Sequence, residues 1–135
     1  MRTELAPKTV KRLLAADGFL DLGMPERAVE ELEKIADAGV LEGPRQLLHG
    51  VALRTLEDHR AAIPHLEKAA RLMPSPARRF AWNELSICYK AVGSSDMCEL
   101  AEKLAGNDDL QLRIALPFAS ATIEFKMSPS SARTT

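Results

Sequence analysis

The feature that most constrains how this chain folds is an internal repeat with a period of 34 to 36 residues. A shift of 34 residues aligns residues largely by size, pairing Ala16 with Gly50, Phe19 with Leu53, Ala28 with Ala62, Leu32 with Leu66 and Ile35 with Ala69. A further shift of 36 residues pairs Gly50 with Ser86, Leu53 with Tyr89, Ala62 with Cys98 and Ala69 with Ala105. A fixed period of this length is typical of stacked structural repeats.

The positions of Gly and Pro predict two helices in each repeat, because Pro suits the first turn of a helix and Gly its end. The predicted helices run from Pro7 to about Leu22, from Pro25 to about Gly39, from Pro44 to about Leu56, from the cap Asp58 to before Pro74, after Pro76 to Gly93, and from the cap Ser95 onward. Each has apolar residues at three- and four-residue steps. With aromatic residues at only 4%, the composition also favours helix. We therefore predict an all-α fold of three helical hairpins.

The repeat resembles the tetratricopeptide repeat, whose pattern runs from Trp through Leu, a small residue and an aromatic to a turn Gly. The matching residues are Trp82, Leu85, Ser86, Tyr89 and Gly93 in the third copy, Gly50, Leu53, Ala62, Leu66, Ala69 and Pro74 in the second, and Ala16, Phe19, Gly23, Ala28, Leu32 and Ile35 in the first. The chain departs from the pattern at His49, Val40 and Glu57, where the family favours Leu, Pro and Gly.

The resemblance implies a right-handed α-solenoid of three helix-turn-helix hairpins with a C-terminal capping segment. The repeats span about residues 9–42, 43–76 and 79–112, after a lead-in at 1–8 and before the C-terminal segment and tail at 113–135. Pro64 lies early in the fourth helix and is expected to remove one backbone hydrogen bond and bend that helix.

In this family the first helix of each hairpin lines a concave face that binds a peptide or helix of a partner protein. The residues that the resemblance places there are Val10, Leu14, Asp17, Asp21, Leu48, Val51, Arg54, Thr55, Phe80, Asn83, Glu84, Ile87 and Lys90. This surface is apolar with a charged fringe, so it suits an apolar segment of a protein, with Leu48, Val51, Phe80 and Ile87 as anchors. Leu13 and Leu47 are expected to be core residues.

Some members of the family hold a peptide's terminal carboxylate with cationic side chains on these helices. The matching positions here are Leu13, Asp17, Leu48, Phe80 and Glu84. None of them offers a cation, and the acidic ones repel a carboxylate. We therefore expect no binding of this carboxylate-clamp kind.

The reactive residues form no pattern typical of catalysis or metal binding. His49, His59 and His65 lie on two predicted helices, and no pair has the four-residue spacing of a helical metal site. Cys88 and Cys98 lie on facing helices and are interpreted as small core residues. We find no phosphate-binding glycine loop or nucleophile motif, so we predict no enzymatic activity, cofactor or metal.

The charge balance argues against a nucleic-acid partner. Lys plus Arg number 18 and Asp plus Glu 19, for a formal charge of -1, so the chain has no net basic field. The local basic clusters, formed by Lys8, Lys11 and Arg12 and by Arg71, Arg78 and Arg79, are interpreted as solvated surface. No signal-peptide core or membrane span is visible, and two cysteines are too few for a disulfide-stapled domain. We expect a cytoplasmic protein without a membrane partner.

The segment after Asp109 permits three interpretations. Its alternating apolar residues indicate extended chain, whereas Asn107 or Asp108 can cap a short helix up to Leu116 that covers the end of the stack. We favour the capping helix. A third interpretation is that the stretch with Ile123, Phe125 and Met127 occupies a groove of this chain or of a neighbouring one.

These features predict a non-catalytic protein-interaction module. Two alternatives stay open, a self-associating structural subunit and a small chaperone for exported or assembly-prone proteins. The partner and the oligomeric state are not specified by the sequence, since repeat architecture fixes a surface shape and leaves the ligand to a few side chains.

Overall fold

The computed structural model describes residues 7–106 and the short segments 113–116 and 121–124. Six α-helices occupy the first range: α1 (Pro7–Asp21), α2 (Pro25–Glu33), α3 (Glu42–Thr55), α4 (His59–Leu72), α5 (Arg78–Ala91) and α6 (Ser95–Ala105). A 3-10 helix at Gly39–Leu41 leads into α3. The prediction of six helices in this range is confirmed. None of the helices between residues 7 and 106 has the length and apolar character needed to cross a membrane.

The helices pack in chain order, and α3 makes two further helix contacts. Each helix contacts the next one along the chain, and α3 also contacts α1 and α5. Among the described residues, the backbones of α2, α4 and α6 do not contact one another. The helices α1, α3 and α5 therefore form a connected row, and α3 lies at its centre.

The three helix pairs share the same backbone hydrogen bonds where the first helix of each pair ends. Two amides after the helix donate to carbonyls of its last turn, the pattern that closes many helices with a left-handed residue. These bonds run from Gly23 to Leu20 and Met24 to Phe19, from Glu57 to Arg54 and Asp58 to Leu53, and from Gly93 to Lys90 and Ser94 to Tyr89, at 2.8–3.2 Å.

The residue at the centre of each turn has a positive φ. The values are 72° at Gly23, 65° at Glu57 and 82° at Gly93. Successive turn residues are 34 and 36 positions apart, which is the period found in the sequence. The repeat is therefore present in the backbone, and Glu57 adopts a conformation that ordinarily favours glycine.

The core between the helices depends on close approach at small residues. A Cβ atom built on Gly50 in α3 lies 2.5 Å from Cγ of Leu66 in α4. The equivalent positions of the other repeats carry Ala16 and Ser86, which are also buried. Leu32 of α2 and Leu66 are both buried at the matching large positions. Small residues thus let paired helices approach while large ones fill the space between them.

Several helix boundaries differ from the sequence prediction, including the start of α3 at Glu42 instead of Pro44. Helix α2 ends at Glu33 instead of near Gly39, because the carboxylate of Asp37 accepts a 2.9 Å hydrogen bond from the Gly39 amide and fixes a turn there. Helix α6 begins with Ser95, so its N-cap is Ser94 and the predicted cap is wrong by one residue.

The cap predicted for the fourth helix is confirmed, and that helix contains Pro64. Asp58 caps α4, since its carboxylate accepts a 3.3 Å hydrogen bond from the amide of Ala61. Helix α4 continues through Pro64 from His59 to Leu72. The missing amide of Pro64 therefore does not end the helix.

The C-terminal part contains a two-stranded antiparallel ribbon. Strands β1 (Arg113–Leu116) and β2 (Ala121–Glu124) pair with Ile114 opposite Ile123. The favoured capping helix up to Leu116 is therefore wrong over β1, because alternating apolar residues fit the two-residue period of a strand. Phe125, Met127, the lead-in up to residue 6 and the tail from residue 128 lie outside the described residues.

Candidate functional site

The residues predicted to line a partner-binding groove divide into two groups by exposure. Leu14, Asp21, Thr55 and Lys90 are exposed, and Val10, Arg54 and Ile87 are partly buried. The other six are buried: Asp17, Leu48, Val51, Phe80, Asn83 and Glu84. All thirteen lie on α1, α3 or α5, the three helices of the connected row.

Three of the four predicted anchors are core residues instead of exposed groove residues. Leu48 is 0% exposed, Phe80 1% and Val51 5%. Leu48 and Val51 lie on α3, which contacts α1, α2, α4 and α5, and Phe80 lies on α5, which contacts α3, α4 and α6, so both helices have little free surface. Ile87 is the only one of the four that keeps partial exposure. The expected core positions Leu13 and Leu47 are confirmed, each at 0%.

A buried ion pair links α3 to α5 across this row. The Nε atom of Arg54 donates a 2.5 Å hydrogen bond to Oε1 of Glu84, whose side chain is 2% exposed, while that of Arg54 is 20% exposed. Burial raises the pKa of Glu84, and the Arg54 charge opposes that shift. The Arg54 head group therefore lies between a buried carboxylate and the solvent.

The exposed residues give the surface an uneven chemical character. Leu14, 42% exposed, and Val10 form an apolar region on α1. Asp21, Thr55 and Lys90 lie in the last turns of α1, α3 and α5, next to the three repeated turns. A ligand on this surface thus meets apolar contacts toward the start of α1 and charged or hydroxyl groups toward the turns.

The structure also brings together two histidines that the sequence placed on separate helices. The rings of His49 in α3 and His65 in α4 stack, with centroids 4.1 Å apart and planes inclined by 23°. Nδ1 of His65 lies 2.7 Å from Oε1 of Gln46. Nε2 of Gln46 donates to Glu42 at 2.6 Å. Since this bond fixes the Gln46 amide, Oε1 is the acceptor and His65 Nδ1 the donor.

The polar chain continues beyond Glu42 to the end of α2. Arg45 donates to Glu42 and, through Nη1, to the carbonyl of Ile35 at 3.1 Å. Burial alone raises the pKa of Glu42, but hydrogen bonds from Arg45 and Gln46 outweigh it and lower the pKa. Glu42, Arg45 and Gln46 lie at three- and four-residue spacing on α3, but no short-range sequence signal marks their contacts with His65 and the Ile35 carbonyl, which belong to other segments.

The environment of the stacked rings favours their neutral forms. Burial lowers the pKa of His49, and the charge of His65 lowers it further, while Glu33 has the opposite effect. Burial and the charges of Arg45 and Lys68 lower the pKa of His65. Among residues 7–106, no group of three or more His, Cys, Asp or Glu side chains is placed to hold a metal ion.

The cysteines occupy protected positions. Cys88 and Cys98 are both buried and free. Burial raises the pKa of Cys88 to about 12, with a further contribution from the Glu84 charge, and burial also raises the pKa of Cys98. Both side chains are therefore thiols at neutral pH, and the thiolate is the reactive form.

Two arginines of the second basic cluster, Arg78 and Arg79, donate hydrogen bonds to carbonyls at the ends of helices. Nε of Arg78 donates to the carbonyl of Met73 at 3.1 Å, and Nε of Arg79 to that of Ala105 at 2.8 Å. In the first cluster, Arg12 lies 3.7 Å from Glu31 of α2. These three arginines therefore make structural contacts within the chain.

Comparison with known proteins adds no identification, since the chain matches no family model, no curated protein and no solved structure.

Proposed function

We propose that this chain is a non-catalytic protein-interaction module, built as a right-handed α-solenoid of three tetratricopeptide-like hairpins. In this proposal α1, α3 and α5 are the inner helices, and a peptide or helix of a partner protein binds along them. The observation that carries the proposal is the threefold repetition of one turn, with the same hydrogen bonds and the same left-handed residue.

The packing pattern supports the solenoid arrangement. Helix α3 contacts α1 and α5, and the other contacts among the six helices join successive helices. A stack of hairpins produces this pattern when each pair packs on its neighbours. The small residues Ala16, Gly50 and Ser86 are buried at matching positions of the three pairs, and at Gly50 helix α4 lies in close contact.

The binding surface that we propose is narrower than the sequence predicted. It comprises the accessible residues Val10, Leu14, Asp21, Arg54, Thr55, Ile87 and Lys90. An amphipathic segment fits this surface, with its apolar side on Leu14 and Ile87 and its polar end near the turns. Both thiols are buried, which favours a binding function over a catalytic one. Arg78 and Arg79 bond to carbonyls at helix ends, which favours a protein partner over nucleic acid.

The proposal can be tested with a phage-displayed library of random peptides of about 15 residues, long enough for four helical turns. The wild-type chain is expected to enrich peptides with apolar residues at helical spacing. The variant Leu14→Glu introduces a charge on the proposed surface, and we expect it to weaken binding of the enriched peptides at least about tenfold.

The matched control is Leu22→Glu, which alters a leucine that is 71% exposed and follows the end of α1. This variant is expected to bind the peptides as the wild type does. Circular dichroism checks that both variants keep their helices. Failure to enrich any peptide, or equal binding by the Leu14→Glu chain, contradicts the proposal.

A further inference from the structure

Helix α6 carries three parallel rows of side chains, each with its own character. Cys98, Ala101 and Ala105 form the buried row. One position earlier in each case, Met97, Leu100 and Leu104 form an apolar row that is 38–47% exposed. Residues at such three- and four-residue spacings share one face of a helix. The apolar surface of α6 therefore extends beyond the part that α5 covers.

Charged residues flank the exposed apolar row on its other side. Asp96, Glu99 and Lys103 precede Met97, Leu100 and Leu104 by one position each and are exposed. The two acidic residues lie toward the start of the helix and the basic residue toward its end. The charge on this side of α6 therefore changes from negative to positive along the helix axis.

We propose that α6 is a homodimer interface, in which the helices of two copies of this chain pair antiparallel about a two-fold axis near Leu100. Antiparallel pairing places Met97 of each copy opposite Leu104 of the second copy, and Leu100 opposite Leu100. A symmetric interface of this kind uses the same patch on both subunits. This proposal is independent of partner binding, which involves α1, α3 and α5.

The charges select a second copy as the occupant and antiparallel as the orientation. In the antiparallel pair, Lys103 of each copy lies beside Asp96 and Glu99 of the other, so attractive contacts form on both sides of the axis. A parallel pair related by a two-fold axis turns the two charged flanks to opposite sides of the interface, so these attractive contacts are absent. Antiparallel helix dipoles favour the same orientation.

The size of the patch sets the strength of this dimer. Helix α6 has 11 residues, so it is about 16 Å long and buries less than the roughly 800 Å² per partner of a stable complex. We therefore expect a weak, reversible dimer with a dissociation constant between about 10 µM and 1 mM.

Sedimentation equilibrium of the full chain across about 10 µM to 1 mM tests the proposal. The mass of the wild type is expected to rise from 14.8 kDa toward twice that value. Asp96→Lys and Lys103→Asp, each alone, place like charges across the axis and are expected to weaken the dimer about tenfold. An equimolar mixture of the two variants restores opposite charges and is expected to dimerise as the wild type does.

The mixture also controls for effects on folding. Asp96→Lys places a cation in the first turn of α6, which weakens the helix, but the mixed sample carries the same change. Leu100→Glu is expected to stay at 14.8 kDa, whereas Leu72→Glu, at a leucine that is 50% exposed on α4, is expected to dimerise normally.

Three results overturn the proposal: a wild type that stays monomeric up to about 1 mM, a Leu100→Glu chain that dimerises like Leu72→Glu, or a mixture that is no tighter than its components. Because Leu100→Glu leaves α1, α3 and α5 unchanged, it is expected to retain the binding of peptides selected by the wild type. Loss of dimerisation is thereby distinguished from loss of partner binding.

Discussion

Arg54 of α3 and Glu84 of α5 form a buried ion pair, with Nε of Arg54 2.5 Å from Oε1 of Glu84. The residues are 30 positions apart in sequence and join two helices of different repeats. Since Glu84 is 1% exposed, its charge depends on Arg54 for compensation. The pair therefore makes the packing of α5 on α3 depend on both side chains.

Arg54→Met is expected to lower the free energy of unfolding by about 3 kcal/mol at neutral pH, because it leaves a buried carboxylate uncompensated. Without Arg54 the folded-state pKa of Glu84 lies further above its unfolded value, so the loss is greatest at high pH and shrinks as acid protonates Glu84. Urea unfolding at several pH values measures both effects.

The double variant Arg54→Met with Glu84→Leu separates charge from packing. Replacing both partners by apolar residues removes the unpaired charge, and we expect stability close to that of the wild type. A double variant as unstable as Arg54→Met alone shows that the ion pair is not the cause of the loss.

The stacked histidines predict a stability that falls in mild acid. Burial lowers the pKa of both His49 and His65 in the folded state below the ordinary value of 6.5. The unfolded chain therefore binds more protons between the folded-state pKa values and pH 6.5, so the free energy of unfolding rises with pH through this window. Above pH 6.5 the histidines are neutral in both states, so the stability that is lost in mild acid is fully present.

His49→Phe keeps an aromatic ring against His65 and removes one titrating group. We expect a smaller loss of stability between pH 7 and pH 5 than in the wild type, measured by thermal unfolding in matched buffers. His59→Gln alters the histidine outside the stack and is the control. A wild-type pH dependence that persists in His49→Phe contradicts this account.

The close approach of α3 and α4 predicts a low tolerance at Gly50. A Cβ there lies 2.5 Å and 2.6 Å from two carbons of Leu66, so Gly50→Ala is expected to destabilise the chain by about 1–3 kcal/mol. In α1 a Cβ on Gly18 meets nothing within 4 Å. Gly18→Ala is therefore expected to stabilise by about 0.5–1 kcal/mol, since Ala favours helix. Chemical denaturation of both variants gives the comparison.

The second repeated turn predicts a stabilising substitution. Glu57 has a φ of 65°, a conformation that costs a residue with a side chain about 1–2 kcal/mol. Glu57→Gly removes this cost, and after the larger entropy of glycine in the unfolded chain is subtracted we expect a gain of about 0.5–1 kcal/mol. Gly93→Ala tests the reverse change at the equivalent turn and is expected to destabilise. Thermal unfolding that shows no gain for Glu57→Gly contradicts the interpretation.

The helices and turns were predictable because their signals are local. Gly23, Pro25, Asp58 and Gly93 mark helix ends through backbone conformation and capping, which act over a few residues. The repeat alignment also placed Glu57 at a turn position where glycine is usual. The early end of α2 was missed because Asp37 and the side chain of Arg45, bonded to Ile35, fix it from outside the helical pattern.

The candidate site was predictable only to the level of the helices that carry it. Helical periodicity gives the same signal for Leu14 and Leu48, yet the first is 42% exposed and the second fully buried. The difference arises because α3 has neighbours on both sides of the row and α1 does not. The segment after Asp109 shows the same limit, because its alternating apolar residues fit a strand while Asn107 or Asp108 fits the cap of a helix.

The sequence by itself determined the repeat, the six helices and the positions of the three turns, because backbone preference and hydrophobic period are properties of neighbouring residues. Only the tertiary structure decided which faces of those helices stay accessible, that His49 stacks on His65, and that Arg54 pairs with Glu84. These relationships join residues 16 and 30 positions apart, and they depend on how whole helices pack, which no local pattern specifies.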